Sequence, residues 1–122
     1  MDWNEVKEKI LIFGIEDYVF ADMFVSIVSE LNAKDNIHNT FSILHELLRE
    51  RLIDIFLFKK GKNEIIDIIK FSFNEEKDIV QLIKKIDEEW KLFNYDLPEP
   101  NQLFWVTTTD KGIEVVNNLD DL

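Results

Sequence analysis

Cysteine is absent from all 122 residues, which removes disulfides, thiolate metal sites and cysteine nucleophiles together and makes a reducing compartment, the cytosol, the expected location. Positive charge is scarce. Fourteen Lys and Arg stand against 25 Asp and Glu, a formal charge of −11. A chain of that sign gains little from phosphate, because phosphate contacts need Lys and Arg to release condensed counterions. The three glycines form no GxGxxG or P-loop, no HExxH occurs, and no isolated carboxylate pair sits in an obviously apolar setting, so an enzyme is not expected. His38 and His45 are seven positions apart, two turns of a straight helix, too far to share a metal without further ligands, and neither metal nor cofactor is expected. Long apolar runs are missing too. Ile10 to Ile15 is broken by Glu16 and Asp17 and follows the acidic stretch Met1 to Lys9, which fits neither a signal peptide nor a membrane span.

What is present suffices for one core: 46% hydrophobic and 12% aromatic residues predict a single domain over 1–122. Trp3, Val6, Ile10 and Phe13 line one face of a first helix that Gly14 should end. A second helix carries Phe20, Met23, Phe24, Ile27, Val28 and Leu31, with Asp17 as its cap. A third, opened by Asp35 or Asn36, carries Ile37, Phe41, Leu44, Leu48 and Leu52. The period then changes to that of strands: residues 53–73 predict a hairpin around Lys59-Lys60-Gly61-Lys62-Asn63, its second arm rich enough in β-branched residues to favour strand over helix. A fourth helix, capped by Asn74, follows with Ile79, Leu82, Ile83, Ile86, Trp90 and Phe93; Leu103 to Thr108 is a last strand, and Thr108 or Thr109 caps a short final helix. The three tryptophans are expected in the core, Trp105 with some exposure.

Three helices followed by strand, turn and strand is the order of a winged helix-turn-helix, an α+β domain whose hairpin is the wing and whose third helix enters DNA in regulators. Here an inserted helix, a final strand and a short C-terminal helix complete it. Leu44 to Ile55, LHELLRERLIDI, resembles a leucine-rich third helix running straight into the first wing strand. With Glu89-Trp90, Pro98 and Trp105-Val106-Thr107-Thr108-Thr109-Asp110-Lys111-Gly112, the chain resembles small winged-helix immunity proteins of contact-dependent growth inhibition and related bacterial toxin systems. The resemblance implies a cytoplasmic protein that binds the C-terminal domain of a delivered toxin, often a nuclease, and blocks its active site. It transfers no binding residue.

Acidic side chains suit that role, because a nuclease holds its substrate on a positive surface that carboxylates can occupy in place of phosphate. The expected partner is therefore a basic toxin domain, with neither membrane nor nucleic acid as partner, and oligomeric state is left open. Two surfaces are candidates. Tyr18, Asp22, Val25 and Ser29 recur at four, three and four opposite the buried stripe of the second helix, where an exposed Tyr beside Val can anchor an interface. Against this, Tyr18 and Val25 are ordinary packing residues for a neighbouring helix. Asp67, Glu75, Glu76 and Asp78 form an acidic set near the second wing strand and the following helix, where Glu75 and Glu76 equally serve the helix dipole. The alternative function is a DNA-binding regulator. His38, Ser42, His45 and Arg49 share a face of the third helix, Lys59, Lys60 and Lys62 mark the wing tip, and residues 34–62 are the one stretch with more bases than acids, six against four. Glu46 and Glu50 flank that face and repel phosphate, and a lysine-rich turn also keeps a hairpin edge unpaired.

Overall fold

The computed structural model describes residues 3–31, 35–60, 66–99 and 102–120; of the turns expected at 32–36 and 59–63, positions 32–34 and 61–63 lie outside them, and Lys59 and Lys60 belong to a strand. The first helix, α1 (Trp3–Glu16), buries Val6, Ile10, Leu11 and Gly14. The expected end at Gly14 is corrected: the helix continues to Glu16, and Phe13 faces outward while Gly14 faces in. The reason is a close crossing. A Cβ on Gly14 would lie 2.5 Å from Thr108 Oγ1, a hydroxyl that donates to the Leu11 carbonyl at 2.6 Å.

The second helix is also shorter than its periodicity suggests. Val19 and Phe20 form a two-residue strand, β1 (Val19–Phe20), and α2 (Ala21–Val28) starts only after it. Asp17 does not cap α2; its Oδ1 accepts the Tyr18 N–H at 2.7 Å, and the residue preceding the helix is Phe20 in extended conformation. Cross-strand pairing overrides the helical period here because a β-branched and an aromatic residue suit a pleated, half-buried surface. α2 buries Ala21, Phe24, Val25, Ile27 and Val28, which leaves little of it exposed.

In α3 (Asn36–Arg49) the buried side chains are Thr40, Ile43, Leu44, Leu47 and Leu48, so the inward stripe is rotated from the expected one and Ile37 is exposed. The helix ends in a Schellman motif: Leu52 N–H donates to Leu47 O at 2.9 Å and Arg51 N–H to Leu48 O at 3.0 Å, with Arg51 at φ 60°. The Arg51 guanidinium stacks 4.8 Å from the centre of the Phe73 ring. Leu52 thus lies beyond the helix, where it leads into β2 (Ile53–Lys60). β2 pairs antiparallel with β3 (Ile66–Lys70), from Phe56 opposite Lys70 to Lys60 opposite Ile66, so the second arm is a strand.

α4 (Glu76–Lys91) buries Ile79, Leu82, Ile86 and Trp90, and Phe41 of α3 meets Trp90 edge-on at 5.8 Å. Its cap is Glu75 rather than Asn74, because Asp78 Oδ2 accepts both the Asn74 and Glu75 N–H groups at 3.1 Å, the return arm of a capping box. β4 (Phe104–Thr108) then inserts between β1 and β2, and α5 (Asp110–Asp120) closes the described chain. Of the two threonines considered as caps, Thr109 takes the role, accepting Gly112 N–H at 3.1 Å. Among the described residues these elements make a small α+β domain with five helices and a four-stranded antiparallel sheet in the order β1-β4-β2-β3.

Candidate binding surface

Alternation along the strands decides which sheet residues meet the helices. Val19, Ile53, Ile55, Phe104 and Val106 point to the core and are buried, with Phe24 of α2 edge-on against Phe104 at 5.4 Å. Phe20, Asp54, Phe56, Phe58, Trp105 and Thr107 point the other way and are only half-buried. Register aligns part of this outer set into a row: Phe20 opposite Trp105, Trp105 opposite Phe56, and Phe56 opposite Lys70. Trp105 is the hub, its ring centre 4.9 Å from those of Phe20, Phe58 and Tyr18. Tyr18 reaches in from the α1–β1 connection and also meets Phe56 edge-on at 5.6 Å. Five aromatic side chains therefore cover the face of the sheet opposite the core.

The first predicted surface is not assembled as expected. Tyr18 precedes α2 and belongs to the aromatic face, Val25 is 4% exposed and part of the core, and Ser29 turns its hydroxyl back to Val25 O at 2.8 Å. Val25 is thus withdrawn as a contact residue. Asp22 is half-buried in the first turn of α2, where the dipole favours a carboxylate. Tyr18 keeps its exposure, 40%, among other aromatics rather than beside Val25.

The second surface is partly brought together. Glu75, Glu76 and Asp78 cluster at the start of α4, but two of them are engaged within the chain: Glu75 pairs with Lys77 at 3.0 Å and Asp78 holds the two backbone N–H groups, while Glu76 Oε1 lies 3.2 Å from His45 Nε2 without a hydrogen bond between them. Those two bonds lower the Asp78 carboxyl pKa below its ordinary value. Asp67 pairs with Lys59 through the backbone on β3; its side chain lies outside the described residues, as do those of Lys59 and Lys60.

The third-helix face borders α4 at His45, while Arg49 at its end is exposed. His38 is exposed, as expected of a surface histidine, and lines an open hollow of about 790 Å³ with Val80, Lys84 and Asp87, whereas His45 is half-buried beside Glu76. Glu46, on the other flank, is committed to α1: its oxygens accept Trp3 Nε1–H at 2.9 Å and the Lys7 ammonium at 2.8 Å. The Lys7 contact, opposed by desolvation and aided by Trp3, lowers the Glu46 pKa.

Sequence reasoning missed the aromatic row. Its signal was present in Asp54, Phe56 and Phe58, which alternate with the core residues of β2, and in Trp105 between Phe104 and Val106; Phe20 was absorbed into a helical stripe. Among the described residues no group of three His, Asp or Glu is placed to hold a metal ion, and no helix is long and apolar enough to cross a membrane. Compared with known proteins, the chain matches no family model, no curated protein and no solved structure, so a functional reading rests on the geometry above.

Proposed function

We propose that this chain is a winged-helix-like immunity protein of the bacterial cytoplasm, a stoichiometric inhibitor that binds a basic toxin domain and covers its active site. The observation that carries the reading is the state of the third helix in a chain of charge −11. The face that a winged-helix regulator lays into the major groove has α4 beside it here: His45 lies 3.2 Å from Glu76, and His38, though exposed, lines a hollow shared with Lys84 and Asp87. A helix in that place obstructs a duplex, and its carboxylates repel the phosphates that would position one. The same charge favours a partner with a positive surface, raising the rate of encounter and penalising wrong partners.

The test is co-expression with the toxin domain encoded beside this chain. Growth is expected to be rescued, and the two proteins to elute as a one-to-one complex. A toxin domain that neither binds nor is neutralised removes the proposal. Salt-sensitive binding to a duplex at physiological ionic strength favours a regulator instead.

A further inference from the structure

The apolar side chains left exposed are not scattered. Of the nine large ones that are exposed among the described residues, four are Ile12, Phe13, Ile15 and Tyr18, within seven positions at the C-terminal end of α1. Ile12, Phe13, Ile15 and Met23 line a hollow of about 500 Å³ whose wall includes Tyr18. A second hollow of about 220 Å³, on the side of Thr107 and Thr108, also has Tyr18 in its wall. Tyr18 in turn meets Phe56 edge-on and lies tilted against Trp105, so the end of α1 and the aromatic sheet face are one continuous surface with Tyr18 at its centre.

Charge identifies what fits it. Glu16 and Asp17 line both hollows. They stand at the negative end of the α1 dipole, and the last turn of α1 holds no basic residue to offset them. A cation placed there meets two carboxylates, the helix end and the exposed Tyr18 ring, while the aliphatic part of the same segment has the hollow to fill.

We propose that this surface docks an Arg- or Lys-bearing apolar segment of a partner protein, with the apolar side chains in the Phe13 hollow and the cationic groups against Glu16, Asp17 and the aromatic rings. The proposal rests on the protein-binding reading above and names its surface. Single-stranded nucleic acid also stacks on aromatic platforms, but its phosphates would run past Glu16 and Asp17. A second copy would bring the same two carboxylates against each other in a symmetric contact.

The test uses the full ¹⁵N-labelled chain and three probes: an amphipathic helical peptide of Arg and Leu, the same peptide with Glu for Arg, and an oligothymidine. The Arg peptide is expected to shift the Tyr18 and Phe56 amides and the Trp105 indole, and to bind at least tenfold more weakly to Tyr18→Ala and to Glu16→Lys. Because Glu16 is exposed, the second variant keeps the test valid if the first fails to fold. The Glu peptide and oligothymidine are expected to leave those signals unchanged. Absence of binding, shifts confined to α4, tighter binding of oligothymidine, or self-association lost in Tyr18→Ala would each overturn the proposal. A neighbouring toxin domain that binds both variants as tightly as the wild type sinks this surface and spares the immunity reading; one that does not bind at all sinks that reading, whatever the peptide does.

Discussion

Gly112, the third residue of α5, and Gly14, near the end of α1, are helical positions where alanine is expected to do harm. In an exposed helix interior Gly→Ala stabilises by about 1 kcal/mol, because glycine loses more backbone freedom on folding. Here space decides the sign. A Cβ on Gly112 would run into the Leu52 carbonyl oxygen and lie 2.5 Å from Thr108 Cγ2; one on Gly14 would meet Thr108 Oγ1. Overpacking of this kind costs about 1–3 kcal/mol. Gly112→Ala is expected to be the worse of the two in urea unfolding, since a backbone carbonyl has no rotamer to escape into, whereas the Thr108 side chain can rotate and give up its bond to Leu11. Stabilisation of both variants would mean that the crossings over β4 are looser than their geometry indicates.

Single polar groups join the elements, and two of these joints predict measurable behaviour. Thr109 Oγ1 accepts Gly112 N–H at the start of α5 and donates to Arg51 O at 2.7 Å, where the chain leaves α3. Thr109→Ala is therefore expected to cost about 1–2 kcal/mol in equilibrium unfolding, with Thr109→Ser recovering most of it. Glu46 ties α3 to α1, and its folded pKa is lower than its ordinary value of 4.5. A carboxylate whose pKa is depressed on folding contributes stability that is present above its unfolded pKa and is lost as pH falls through the folded one. The stability gap between wild type and Glu46→Gln is expected to be constant above about pH 5.5 and to narrow below pH 4.5. A gap that does not change with pH would show that the bonds from Trp3 and Lys7 do not depend on the charge. The helices and hairpin were legible in the sequence because Ile79, Leu82, Ile86 and Trp90, or the β-branched run from Ile53, carry strong periods. The end of α1 and the start of α2 were not. Val19 and Phe20 fit a helical stripe locally and become strand only through pairing with Val106 and Trp105, some 85 positions away. The candidate surface went with them, since Tyr18 could be seen to leave the helix, and Trp105 to face outward beside it, only once that pairing was known.

Charge and contact separate in kinetics. The field of a chain with charge −11 acts over roughly a Debye length, about 10 Å at 0.1 M salt, and so governs how often a basic partner arrives. If a partner docks on the proposed surface, close packing around Tyr18 and Trp105 acts only after arrival and so governs how long it stays. For the proposed toxin-domain complex, raising salt from about 0.05 to 0.5 M is expected to slow association tenfold or more and to change dissociation by less than about twofold. Glu16→Gln should slow association, and Tyr18→Ala should speed dissociation at an unchanged association rate. Reversing Glu75 and Glu76 to Lys adds a control of equal interest, because those carboxylates face partners in their own chain. If only the total charge steers, this pair slows association more than Glu16→Gln, having moved the net charge by four units rather than one. If the field is focused at the end of α1, Glu16→Gln is the stronger despite its smaller change. Stopped-flow measurement on the two variants, with folding checked by circular dichroism, distinguishes a diffuse acidic surface from a directed one.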